Sequence, residues 1–260
     1  MKRLSTVTLW GIYSVWRRHA KVYQKTWLVN FLAPLSEPLV YLVAFGYGLT
    51  PLVGEVTYTG ETISYREFIA PGMMGIALLF QSFFEAAYGS YIRLSYQKNW
   101  QALLTAPLSF SEVFLGEWFW AATKGIIAGT LTGVIAILLG LYQVWHLLLS
   151  IPIIILGGLT FAAFGLLTAG TVRTVDQINV PIFLIIIPMF TLCGTYFPRE
   201  TLPSTIETIA SILPLAALID LLRWPLGVPR WWLMALLWLL FWMFLLVVAA
   251  AKKIYPRLID

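Results

Sequence analysis

The sequence predicts an all-α integral membrane protein with six transmembrane helices, an N-terminal amphipathic interfacial helix, and an extracytoplasmic re-entrant hairpin before the last helix. Three observations carry this. Of 260 residues, 60% fall in the set AVILMFWYC and only 11% are charged. Soluble domains run roughly 45–50% apolar and about 25% charged, so a soluble globular enzyme and a disordered chain are both excluded. Apolar runs of roughly 20 residues, enough for a hydrocarbon core about 30 Å thick, recur along the chain. The aromatic share is 15%, with 12 Trp and 12 Tyr, which suits two water–lipid boundaries.

The elements follow in order. Leu9, Ile12, Tyr13, Trp16, Ala20, Tyr23 and Trp27 recur at three- and four-residue steps while Arg18, Lys21 and Lys25 fall opposite, the pattern of a helix lying in a membrane interface over residues 1–26. Its long basic region, followed by a run long enough to span, argues against a cleaved signal peptide. The expected spans are Trp27–Leu49, Phe68–Ile92, Val113–Leu141, Leu147–Thr171, Ile178–Phe197 and Trp231–Ala251. A seventh apolar stretch, Ile206–Leu222, is interrupted by Pro214 and surrounded by Pro198, Pro203, Pro225 and Pro229. It reads as a hairpin within residues 198–230 that dips part-way into the membrane. The polar stretches between spans are too short for a core of their own, so residues 1–260 form a single transmembrane domain.

Charge fixes the orientation. With both termini cytoplasmic, 12 of the 17 Lys and Arg lie on that side, as the positive-inside rule requires. The net charge of +5 therefore reads as topology, not as affinity for nucleic acid.

The chemistry-bearing residues are few. Cys193 is the sole cysteine and His19 and His146 the only histidines, so no zinc spacing exists. None of the 19 glycines is followed by lysine, which excludes a P-loop; no nucleophile elbow and no H-E-x-x-H occur either. Glu37, Glu85, Glu117 and Lys124 lie within or at the ends of spans, where an ionisable group costs roughly 2.5–3.5 kcal/mol. Interhelical contacts and a transport role both suit them. Gly125, Gly129 and Gly133 repeat at four-residue steps in the third span and let another helix approach closely, in the same chain or in a second copy. Within the loop 93–112, Tyr96–Leu104 suits a short helix ended before Ala106–Pro107. Tyr96, Lys98, Asn99, Trp100, Gln101, Leu103 and Leu104 would offer it to a soluble partner. Trp118, Trp120, Tyr196 and Phe197 suit either interface anchoring or stacking on sugar rings.

At this point a family resemblance becomes specific. The segments VWRRHAKVYQK, LSEPLVYLVAFGYGL, SYREFIAPGMM, FFEAAYGSYIR, NWQALLTAPL, LGEWFWAATK and LPLAALIDLLR stand in an order that resembles the membrane subunit of ABC-2 type exporters, and among these the permeases of nodulation lipo-oligosaccharide exporters. The likeness covers essentially the whole chain; TVRTVDQIN after the fourth span matches no motif of it. The resemblance implies a half-transporter in a bacterial inner membrane that pairs with a second copy and with two ATPase subunits. ATP and Mg would belong to those subunits and no cofactor to this chain. It also implies that Tyr96–Leu104 is a coupling helix and that the substrate is amphiphilic, a lipo-oligosaccharide, glycolipid or polysaccharide. A hydrophobic drug exporter of the same fold is the near alternative, an ion-coupled carrier the more distant one, and a polytopic membrane enzyme lacks a catalytic constellation.

Overall fold

In a computed structural model, which describes residues 7–27, 36, 38–228 and 231–258, the chain is a bundle of long apolar helices. Helix α1 (Leu9–Lys25) opens on Thr8, whose hydroxyl accepts a hydrogen bond from the Gly11 N–H at 3.1 Å, a normal N-cap. Its buried residues Gly11, Val15 and His19 stand at four-residue steps and face the bundle. Ile12, Trp16, Ala20 and Tyr23 of the expected apolar face are half-buried beside them, whereas Leu9, Tyr13 and Trp27 are exposed.

Helix α2 (Pro38–Val53) is the described part of the expected first span; Glu37 lies outside the described residues. A β-hairpin follows, β1 (Glu55–Tyr58) and β2 (Glu61–Ser64), paired antiparallel with Tyr58 opposite Glu61. Thr59 and Gly60 both have positive φ, 53° and 83°, as a two-residue turn matching strand twist demands. This two-stranded hairpin is an addition to the expected helical fold, which otherwise holds. EVTYTGETIS carries β-branched residues on both sides of a Thr-Gly turn, and tertiary contacts hold a hairpin too short to stand alone.

Four long helices and a shorter one then build the core. Helix α3 (Tyr65–Tyr96) outruns its expected end at Ile92; it carries π-helical stretches at Glu85–Gly89 and Ile92–Tyr96, a device frequent at functional sites. Helix α4 (Asn99–Thr105) follows Lys98, whose φ of 49° turns the chain sharply. Helix α5 (Phe110–Leu138) starts at a capping box between Ser109 and Glu112. Helices α6 (Val144–Thr171) and α7 (Val175–Leu192) come next, and α10 (Trp232–Ile254) ends the bundle. Between α7 and α10, α8 (Ser204–Ile212) and α9 (Pro214–Arg223) meet at a bend of 86°. Pro214 at the start of α9 leaves Leu213 extended, as the residue before proline prefers.

The glycine stripe of α5 meets α3 of the same chain. A Cβ on Gly125 would strike the Ser82 hydroxyl and come within 2.9 Å of the Leu78 carbonyl; Gly129 faces Leu78 and Met74, and Gly133 faces Leu147 and Met74. Close approach of helix backbones is what small residues permit in a membrane. The described ends of the chain lie at one end of the bundle. Thr8 donates to Glu112 at the start of α5, and Arg257 donates to the carbonyls of Ala169, at 2.8 Å, and Val172 at the end of α6. A cation on exposed C-terminal carbonyls is the favourable helix-end arrangement.

Candidate functional site

At the end where α1, α3 and α5 converge, five ionisable side chains form one chain of contacts. Glu117, wholly buried, accepts from Arg93 Nε at 3.1 and 3.0 Å, pairs with Arg93 Nη2 at 2.8 Å, and lies 3.0 Å from His19 Nε2. Arg93 Nη1 also donates to Glu85 at 3.0 Å, and Lys124 Nζ donates to the other Glu85 oxygen at 2.8 Å. Ser90 donates to Glu117 at 3.1 Å and the Trp120 indole to Glu85 at 3.0 Å. Every carboxylate oxygen is thus satisfied. Burial this deep is tolerable only because opposite charges balance and the lone pairs are used.

Local structure explains how the groups meet. Glu117 and Lys124 are two turns apart on α5, too far for a direct pair, and Glu85 and Arg93 bridge them from α3. The π-helical stretch after Glu85 re-aims the last turns of α3. Gly89 supplies the space, since a Cβ there would lie 2.9 Å from Glu85 Oε1 and 3.0 Å from Arg93 Nη1. His19 comes from α1, and its ring stacks on Trp120 at 5.7 Å. A 350 Å³ cavity opens beside the cluster, lined among others by Arg18, Tyr23, Gln97, Asn99, Trp120 and Lys124. It adjoins the first residue of α4. Glu112 makes a second joint: one carboxylate oxygen accepts from the backbone N–H of Thr8 at 2.9 Å and from its hydroxyl, the other from the Ser109 N–H at 2.7 Å.

A second polar cluster sits at the far end of α3. Arg199 grips Asp220 bidentately at 2.9 and 2.8 Å, and Tyr58 of the hairpin donates to the same carboxylate. Arg223 is wholly buried, lies over the rings of Phe68 at 3.6 Å and Tyr58 at 4.7 Å, and donates to the Gly194 carbonyl at 2.7 Å. Burial, and then Asp220 beside it, push the Tyr58 phenol above its ordinary range. Glu200 accepts from the Thr59 N–H at 2.9 Å, so the β-hairpin is clamped to the α8–α9 region at both polar contacts.

Two polar clusters tie the ends of an apolar helical bundle, and one of them links the amphipathic helix α1 to α3 and α5. The sequence model of ABC-2 type transporters matches residues 11–226. The chain belongs to the ABC-2 type transporter family. It is 38% identical over 210 residues to "Nodulation protein J" of Rhizobium leguminosarum bv. trifolii, covering 81% of this chain and 79% of that protein. The same-named protein of Rhizobium meliloti is 36% identical over 214 residues, 82% of this chain and 80% of the relative. The "Inner membrane transport permease YadH" of Escherichia coli is 21% identical over 214 residues, 82% of each. The chain is accordingly a multi-pass membrane protein and an ABC-2 permease.

Within this ABC-2 permease the expected site residues separate. Glu85, Glu117 and Lys124 come together. His19 and Arg93 complete the cluster, though the sequence placed one in an interfacial helix and the other in a loop. Arg93 was legible only if the helix continued past Ile92, which π-helical geometry allowed. In α4, Trp100 is wholly buried in the apolar cluster with Leu94, Val113 and Phe114. This corrects its expected place on the docking face: a bulky apolar side chain after a sharp turn roots the helix on the bundle. Asn99, Gln101, Leu103 and Leu104 are half-buried, while Tyr96, Lys98, Ala102 and Thr105 are exposed. Trp118 is buried, its indole bonded to the Leu159 carbonyl at 2.8 Å, and Trp120 is buried with its edge turned to Glu85. Tyr196 and Phe197 are half-buried, with Tyr196 packed among Tyr41, Phe45 and Phe190. TVRTVDQIN acquires a structural place: Tyr91 donates to the Arg173 carbonyl at 2.6 Å and Tyr88 to Asn179 at 3.1 Å.

Proposed function

We propose that the chain is the membrane-spanning half of an ATP-driven exporter that carries an amphiphile with a saccharide head, a lipo-oligosaccharide, glycolipid or polysaccharide, out of the cytoplasm. It works with a second copy of itself and two copies of a separate ATPase subunit, which supply the ATP chemistry. The observation that carries this is the His19–Glu117–Arg93–Glu85–Lys124 network. It joins α1 and the α3–α4 junction to the spanning helix α5, so displacement of α4 is passed into the bundle through paired charges. Helix α4 is the coupling helix. Ala102 and Thr105 on it, with Tyr96 and Lys98 just before it, form the docking face, and Trp100 roots the helix.

The topology is six spans with both termini cytoplasmic, α1 in the interface, and α8–α9 a re-entrant hairpin on the outer side. Supporting this, the described ends lie at one end of the bundle. At the other end Arg199 and Arg223 are enclosed in the fold, so they do not oppose the basic surplus of the cytoplasmic face. An ion-coupled carrier is disfavoured because two of its candidate coupling acids, Glu85 and Glu117, are already paired with fixed cations. A 500 Å³ apolar cavity between α6 and α7, lined by Phe164, Leu167, Val172, Val180, Leu184 and Ile185 among others, would accept an acyl chain or a hydrophobic drug. It keeps drug export as the second reading.

The test is co-purification with the ATPase subunit. Ala102→Arg with Tyr96→Glu abolishes it while the chain still elutes as a monodisperse species. Retention of the ATPase by that variant rejects α4 as the docking element.

A further inference from the structure

Two cavities of 340 and 450 Å³ adjoin between α8–α9 and the start of α10, sharing Glu207, Ser211 and Trp238. They form one groove. Trp231, just before α10, and Trp238 are seven residues apart, about 10 Å along a helix, and are 48% and 37% exposed. The Trp238 N–H is held by the Ile212 carbonyl at 2.8 Å, which fixes its ring plane. The Arg199–Asp220 pair forms the floor. The Glu207 carboxylate, half-buried, and the exposed Ser211 hydroxyl have no side-chain partner among the described residues.

Interface anchoring accounts for a tryptophan at the head of a spanning helix. It does not account for two indoles lining a groove, one of them stacked on Phe241 on one side, beside a carboxylate with no side-chain partner among the described residues, a hydroxyl and a buried ion pair. Indole faces bind the C–H faces of sugar rings, and fixed carboxylates and hydroxyls take the ring hydroxyls. The wall offers acceptors and donors together, with Arg199 already neutralised by Asp220, which suits a neutral, hydroxyl-rich ligand better than an anion.

We propose that this groove is a saccharide subsite, which receives a short oligosaccharide head as it leaves the pathway. The assignment rests on the export reading above. Trp231 and Trp238 are its stacking platforms and Glu207 and Ser211 its hydroxyl partners.

The test uses the full chain with its ATPase subunit in nanodiscs, with cellotetraose, tetra-N-acetylchitotetraose and phosphocholine as probes in saturation-transfer NMR and calorimetry. At least one tetrasaccharide is expected to bind. Trp231→Ala, Glu207→Gln and Ser211→Tyr should each weaken binding at least tenfold without moving the melting temperature, whereas loss of a mere anchor would move stability alone. Absence of saccharide binding, exclusive binding of phosphocholine, or affinity unaltered in all three variants overturns the subsite. ATP-dependent transport measured on the same sample keeps the two claims apart: transport without saccharide binding sinks the groove only, and saccharide binding without ATP dependence sinks the export reading only.

Discussion

Neutralising Glu117 should be among the most damaging single changes in the bundle. The cluster holds two carboxylates, Glu85 and Glu117, against Arg93 and Lys124, with His19 alongside. Glu117→Gln leaves two fixed cations facing one anion in a site where Glu117 itself has no exposed surface. Breaking one side of a buried pair costs about 3–5 kcal/mol. Arg93→Met errs the other way and strands Glu117, at a similar cost of about 3–5 kcal/mol. In the double variant the surviving Glu85–Lys124 pair, 2.8 Å apart, is balanced again. Its cost should therefore fall short of the summed single costs by about 2–3 kcal/mol, the coupling expected of residues in one network. Reversible denaturant unfolding in bicelles measures all three, and hydrogen exchange over residues 9–25 should rise in both single variants as α1 loosens. Single costs below about 1 kcal/mol, or additive costs in the double variant, would refute the network as the joint between α1, α3 and α5.

Further outcomes follow from the other contacts. Glu112→Ala removes the carboxylate half of the α5 capping box, leaving the Ser109 cap in place, together with the anchor of Thr8, so it should cost about 1–3 kcal/mol and speed proteolysis of α1 before the rest of the chain. Gly125→Val drives a side chain into Ser82 and the Leu78 carbonyl; it should cost about 1–3 kcal/mol or more, read as loss of a monodisperse elution peak, whereas Gly48→Ala, with nothing within 4 Å of the new carbon, should leave that peak unchanged. Asp220→Asn frees Arg199 and Tyr58 at once, and hydrogen exchange should rise across residues 55–64 before it rises in α3. Because Tyr58 is raised and is buried as the neutral phenol, its contribution is intact below its ordinary pKa of about 10 and is lost as pH climbs through the higher folded value; exchange of the hairpin should be flat from pH 7 to 9 after correction for intrinsic rates.

The bundle was legible because hydropathy and length constrain a membrane chain strongly. Spans two to four and the last one stand within a few residues of their expected positions, and Pro214 marked the α8–α9 bend. What escaped depends on tertiary approach. The β-hairpin is too short for a confident pattern and is held by Asp220 and Glu200, which lie far along the chain. Trp100 looked like an exposed anchor because an isolated seven-residue helix gives no clue to which face is rooted. The candidate site was half visible: burial costs singled out Glu85, Glu117 and Lys124, but their partners Arg93 and His19 lay outside the expected spans. Composition also left open the partner of the glycine stripe, since small residues permit approach without specifying the helix that approaches.

The most direct measurement is transport in proteoliposomes containing this chain with or without its ATPase subunit, with ATP and, separately, with an imposed proton or sodium gradient. Movement of a saccharide-bearing amphiphile is expected only when the ATPase subunit and ATP are both present, and is lost in Glu117→Gln. Gradient-driven transport by the chain alone would contradict this expectation.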